Sequence, residues 1–293
     1  MGSLLVKVRA KMAIYAHQKV RGMLEGQYGS VFKGRSMEFD DLREYIPGDD
    51  VKDIDWKATA RSSSALIRRY VAVRKHNVLL VVDTGKNMTA TTSTGQSKKD
   101  LAVLLAGIIG SIVLKHDDLI GLVAGDSQRT VHMPIKAGNV HLEQVLQKID
   151  TSITDDAAPS RITAQLEYIT KNMRRKMIIV VIADQVPFDE AMRSVVRRLR
   201  AQHEILWLTV TDADLSLPQQ IVDVEKQLSD LPRYLRTHKA IVAAYREQEQ
   251  LAKQALSQGL SRLAVASEEV ESENDAVKRV FKLLERHRNV RHT

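Results

Sequence analysis

Two aspartates stand where a fold could put them to use. Asp83 closes the apolar run Val78 to Val82 within H-N-V-L-L-V-V-D-T-G-K-N, and Asp184 closes a second run, M-I-I-V-V-I-A-D, over residues 177–184. A carboxylate at the end of a buried strand meets the loop beyond it. In open α/β sheets that carboxyl edge is where ligands bind. On neighbouring strands the two acids would face one crevice. Hard oxygen donors placed there suit Mg²⁺, and a poised nucleophile or base beside them would suit hydrolysis. The chain carries no G-x-S-x-G, H-E-x-x-H or P-loop to supply the second kind of chemistry. Its nine histidines show no ligand spacing.

The elements that must position these acids follow from hydrophobic pattern. Unbroken valine-rich runs are strands buried on both faces, as in the middle of a parallel sheet. Residues 98–115 are apolar nearly all round and predict a buried helix. A strand is expected over 117–125, with a hairpin partner at the sheet edge over 129–135. Helices are expected over 139–149, 161–173, 188–202, 231–258 and 274–288, and strands over 204–210 and 260–267. Residues 64–74 read as a strand pairing with the central one. Residues 1–22 read as a basic helix. Strands alternating with helices give the fold class: α/β, a doubly wound, mostly parallel sheet flanked by helices.

Composition narrows the functions. The 293 residues are 44% hydrophobic and 27% charged, ordinary for a globular chain. The absence of cysteine excludes disulfides and thiolate metal sites. No apolar run reaches the roughly 18 residues of a membrane span, and the reading is cytoplasmic. The net charge of +8 allows an acidic partner. Aromatics are only 4%, too few for stacking platforms. The excess charge is spread over Arg68, Arg69, Arg74, Arg174, Arg175, Lys176, Arg193, Arg197 and Arg198, which solvated helix faces account for. Gly26, Gly29 and Val31 partly match the kinase glycine-rich loop, but no H-R-D or D-F-G follows.

The most distinctive stretch is residues 35–61, R-S-M-E-F-D-D-L-R-E-Y-I-P-G-D-D-V-K-D-I-D-W-K-A-T-A-R. Pro47-Gly48-Asp49 marks a turn. Local ion pairs, with Phe39, Tyr45, Ile54 and Trp56 as anchors, would hold the segment. Together with R-R-Y-V and V-L-L-V-V-D-T, it resembles the signature of domain-of-unknown-function family 58, whose members carry a von Willebrand factor A-like domain. The resemblance is specific over about residues 29–91. It implies residues 1–63 as an N-terminal helix and signature extension packing on the main domain, and 64–293 as the A-like domain. It also implies a bacterial or archaeal adaptor acting with a MoxR-type AAA+ ATPase.

The same resemblance implies a metal-ion-dependent adhesion site. Such a site holds Mg²⁺ with D-x-S-x-S after the first strand, a hydroxyl from a second loop and an Asp from a third. Here the loop reads Asp83-Thr84-Gly85-Lys86-Asn87. Gly85 and Asn87 stand at the two serine positions, so the site is degenerate. Its ligand set would be Asp83, Asn87, Ser160 and Asp184, with Mg²⁺ as cofactor. Lys86 adds a competing charge. Without metal, Asp83 would cap backbone N–H groups of its own loop or pair with Lys86. A protein partner would dock on Asp83, Lys86, Asn87 and Asp184. A metal-dependent hydrolase using Asp83 and Asp184 is the competing reading, although two-metal phosphoryl chemistry needs more convergent acids than these loops supply. A basic nucleic-acid-binding protein is a third.

Overall fold

A computed structural model describes residues 2–15, 38–62, 64–71, 75–92, 94–211 and 239–291. The glycine-rich stretch at 26–31, the end of the expected first helix and residues 231–238 of the expected long helix lie outside them. The chain divides into two compact units, Met1–Val31 with Asn77–Thr293, and Phe32–His76.

In the larger unit the helices are α1 (Leu4–Tyr15), α3 (Lys98–Lys115), α4 (Asn139–Ser152), α5 (Ile162–Asn172), α6 (Glu190–Gln202), α7 (Lys239–Arg262) and α8 (Glu273–Arg291). The strands are β3 (Asn77–Asp83), β4 (Leu119–Gly125), β5 (Thr130–Lys136), β6 (Ile178–Asp184), β7 (Glu204–Val210) and β8 (Ala266–Val270). The smaller unit holds β1 (Glu38–Glu44), α2 (Trp56–Thr59) and β2 (Leu66–Val71).

The six strands of the larger unit form one sheet in the order β5-β4-β3-β6-β7-β8. Every neighbouring pair is parallel except β4 and β5, the expected edge hairpin. Every residue of β3 and of β6 is buried, which is why both read as unbroken apolar runs. On one face Leu79, Val81, Ile179 and Val181 join Leu166 and Ile169 of α5, Val195 and Leu199 of α6, and Leu256 and Leu260 of α7 in one apolar cluster. Helices α1, α3, α4 and α8 pack together on the other. The fold is thus doubly wound α/β. In α6, Met192, Val195, Val196 and Leu199 are buried while Arg193, Arg197 and Arg198 are exposed. That part of the basic excess is a solvated helix face.

Helix α1 is fixed at its start by an acid from α4. Glu143 accepts from the Leu4 and Leu5 N–H groups at 3.0 and 2.8 Å and from the Ser3 hydroxyl at 2.7 Å. These are donors that a helix start leaves without intrahelical partners. Val8 lies over Gly107 of α3, so close that a Cβ on Gly107 would sit 2.7 Å from both valine methyls.

Two expectations are corrected. The described part of the expected strand over 64–74, Leu66–Val71, pairs elsewhere than with the central strand, and residues 72–74 lie outside the described residues. β2 pairs antiparallel with β1, Leu66 opposite Glu44 and Val71 opposite Glu38. Both flanks of β3 are taken by β4 and β6, and β2 instead buries Ile67 beside Ile54, its bridge partner. The last strand starts at Ala266, not near 260, because Leu260 is still helical and packs in the core. The helix ends where Ala264 takes φ 54° and the Val265 N–H returns to the Leu260 carbonyl. That pattern is a Schellman-type stop, usually built on glycine.

In the smaller unit Asp49, Asp50 and Asp55 accept from backbone N–H groups of turns and helix starts. Asp50 accepts from the Lys52 N–H, and Asp55 accepts from the Lys57 and Ala58 N–H groups at the start of α2. Asp49 accepts from the Ile46 N–H and pairs with Arg43 at 2.6 Å. The Arg43 guanidinium holds that carboxyl below its usual value. Ile54 is buried as an anchor should be, whereas Trp56 is 66% exposed. Trp56 opens the first turn of α2.

Candidate functional site

The chain builds β4 and β5 to one side of β3, then returns to lay β6 on the other. The strand order therefore reverses between β3 and β6, and the carboxyl ends of those strands flank the switch point. Asp83 and Asp184 are their last residues.

Three loops are stitched together above these strand ends. The Thr84 N–H donates to Gly125 O beside the end of β4 at 2.9 Å. The Lys86 and Ser127 N–H groups donate to the Ala158 and Pro159 carbonyls, each at 2.9 Å. The segment before α5 thereby bridges the loops after β3 and β4. Ser160, at its end, is brought against the Asp83 loop. A Cβ built on Gly85 would lie 2.4 Å from Ser160 Cα and 2.5 Å from its Oγ. A serine at position 85 would occupy volume that Ser160 already fills.

Both acids are buried. Asp83 is fully buried and its Oδ1 accepts from the Gly85 N–H at 2.8 Å. Asp83 thus caps a backbone N–H of its own loop. Asp184 is 2% exposed. Its Oδ1 accepts from the Gln185 N–H at 2.7 Å and from the Lys98 ammonium at 2.8 Å. Lys98 itself is 0% exposed. The rim is different: Lys86, Asn87, Ser127, Ser160 and Gln185 are all half-buried.

Lys98 is the residue that sequence reasoning missed. It is the first residue of α3, behind the Ser97 cap, whose hydroxyl accepts from the Asp100 N–H at 3.2 Å. Its own N–H is tied to the Ala90 carbonyl at 3.0 Å. The missed signal was register. Lys98 shares a helical stripe with the buried Leu101, Ala102 and Leu105, whereas Lys99 points away to Asp150 at 3.3 Å. A lysine on the apolar stripe of a helix buried nearly all round has to end on a carboxylate.

Against Mg²⁺, the donors offer little. Position 85 brings no side-chain oxygen, one Asp184 oxygen already takes an ammonium and an amide, and the acids are shut off from the waters that Mg²⁺ keeps.

Fold and crevice together define a doubly wound α/β domain with a loop-covered site at its switch point. The chain belongs to the DUF58 family, described as protein of unknown function, and residues 41–255 match it. An uncharacterized protein of Mycobacterium bovis is 30% identical over 206 residues, which is 69% of this chain and 63% of that protein. This chain thus spans less than two thirds of that relative's length. An aerotolerance-related membrane protein from Bacteroides fragilis is similar in structure with a TM-score of 0.44 at 15% identity, over 72% of this chain and 98% of that one. A von Willebrand factor type A protein from Catenulispora acidiphila is similar with a TM-score of 0.38 at 10% identity, over 73% and 43%. No helix among the described residues is long and apolar enough to cross a membrane.

Proposed function

We propose that this chain is a non-catalytic, cytoplasmic protein-interaction module that works with a MoxR-type AAA+ ATPase. It docks through the loops at the carboxyl edge of the sheet, in the place of a degenerate metal-ion-dependent adhesion site. The observation that carries the reading is the convergence of three loops over the β3/β6 switch point, with half-buried Lys86, Asn87 and Ser160 at the rim above buried Asp83 and Asp184. Lys86 and Asn87 are the residues a partner touches; Asp83 and Asp184 shape the loops from below. The ATPase partner comes from the sequence resemblance alone.

The test is a binding titration between this protein and the MoxR-type ATPase encoded nearest to it, with wild type and with Lys86→Glu/Asn87→Ala. Both changes lie at the rim and leave the buried acids intact. Saturable binding that the double variant weakens at least tenfold is the expected result. Binding indifferent to the double variant moves the interface off the crevice, and no binding by folded wild-type protein removes the partner.

A further inference from the structure

We infer that Lys98 takes the place of the metal: its ammonium is the fixed cation of the crevice, and the site works without Mg²⁺ or any other divalent ion. The inference deepens the docking reading and rests on it only for the crevice's role. The cation itself can be tested without a partner.

Three observations lead to it independently. The first is charge. The Lys98 ammonium sits 2.8 Å from Asp184 Oδ1, with both side chains nearly or fully excluded from water. A divalent ion reaching that oxygen at the roughly 2.1 Å Mg²⁺ requires would meet a positive charge already in contact with it. The second is space. Mg²⁺ is reluctant to shed its water and fills several of its positions with it. Asp83 and Asp184 are 0% and 2% exposed, which leaves no water-facing side at either acid.

The third is the loop itself. Gly85 replaces a serine oxygen, and the room it leaves is taken by Ser160, whose Oγ would lie 2.5 Å from any Cβ there. Restoring a ligand at 85 would require moving backbone. These three features suit one another, and none of them suits an ion. The lysine is also held in place from its own side. The loop before it closes on itself through Thr92 N–H to Gln96 O at 2.7 Å and Gly95 N–H to Thr92 O at 2.9 Å, and the Lys98 N–H is bonded to Ala90 O. The stem therefore enters the crevice from a fixed start.

The experiment is calorimetric titration of the wild-type chain with MgCl₂ and MnCl₂, with thermal melts in excess Mg²⁺ and in EDTA. The expected result is no saturable heat and the same Tm in both. Saturable binding that Asp184→Asn abolishes would overturn the inference. Two variants read the pair directly. Lys98→Met should lower Tm clearly, and Lys98→Met/Asp184→Met should recover part of the loss, because the single change strands a buried carboxylate while the double change still leaves the Gln185 N–H without its acceptor. A Lys98→Met protein as stable as wild type would overturn the inference. Should Lys98→Met not fold, the wild-type titration still decides. Failure is distinguishable from failure of the docking reading. ATPase binding that requires Mg²⁺ at Asp184 sinks the lysine and leaves docking, while metal-blind protein that binds no ATPase sinks docking and leaves the lysine.

Discussion

Gly85→Ala is the substitution that probes the crevice most directly. Gly85 has φ −70° and ψ 172°, an extended conformation any residue adopts, so backbone strain plays no part in the outcome. Space does. The added Cβ would lie 2.4, 2.5 and 2.6 Å from Ser160 Cα, Oγ and N. Ordinary carbon contacts lie near 3.5–4.0 Å, so the overlap is about an ångström on three atoms, two of them backbone. Relief requires shifting residues 158–160, which the Lys86 and Ser127 N–H groups hold through two backbone bonds of 2.9 Å. Overpacking costs ~1–3 kcal/mol. Each loosened hydrogen bond adds about 1 kcal/mol, and the reduced freedom of the unfolded chain returns ~0.4–1 kcal/mol. The net expectation is a loss of about 3 kcal/mol.

Equilibrium urea unfolding reads this as a fall in midpoint at unchanged slope, about 1 M for a slope near 3 kcal/mol/M. Gly138→Ala is the contrast. Gly138 has φ 102° and open space around it, so its cost is conformational alone, ~1–3 kcal/mol. Gly85→Ala/Ser160→Gly should recover only part of the loss, because the Ser160 Cα and N still collide. A Gly85→Ala midpoint equal to wild type would refute the close approach of the two loops, and with it the argument that no ligand oxygen fits at position 85.

Other outcomes follow from single residues. Burial alone would push the Glu143 carboxyl up, but hydrogen bonds from Leu5, Ser3, Leu4 and Gln147 outweigh it and leave its pKa below the ordinary 4.5. Glu143 therefore stabilises the start of α1 above about pH 4.5, and that contribution is lost as pH falls through the lower folded value. Hydrogen exchange should show α1 losing protection there, and Glu143→Ala should lose it at neutral pH. Burial pushes the His203 pKa below 6.5. The unfolded chain then binds the extra proton, so stability falls as pH drops through 6.5, and His203→Leu should flatten the midpoint-against-pH curve between pH 7.5 and 5. Ala264 has φ 54° at the end of α7, a conformation costing ~1–2 kcal/mol outside glycine. Ala264→Gly should raise the urea midpoint by about 1 kcal/mol equivalent.

What could be read from the sequence followed the physics of pattern. β3 and β6 were legible because strands buried on both faces leave continuous apolar runs, and α3 because its apolar length matched a buried helix from Lys98 to Lys115. β2 was misread because a half-apolar strand does not say which neighbour it pairs with; that depends on which edges are already filled. The stop of α7 was missed because Ala264 does what a glycine would announce. Asp83 and Asp184 were legible as strand-end acids. The cation between the loops was not, since the eye goes to the lysine nearest in sequence, Lys86, and not to Lys98, carried in by a helix that begins fifteen residues after Asp83.

A lysine in place of a metal changes what the crevice can do. An adhesion metal presents an open coordination position, and a partner carboxylate completes it, so affinity follows divalent-ion concentration. Lys98 is 0% exposed and spends its charge on Asp184. Nothing from outside reaches it without parting the loops. On the proposed docking reading, the energy would come from the rim, where half-buried Lys86 offers a positive charge to an acidic residue and Asn87 offers an amide. The buried pair adds little net stability over an apolar pair of similar volume, whereas removing one member costs ~3–5 kcal/mol. α3, which carries Lys98, also packs on α1, α4 and α8. A displacement of that helix would pull the ammonium from Asp184, so on the proposed reading the docking loops would be coupled to the helical layer rather than to an ion in solution.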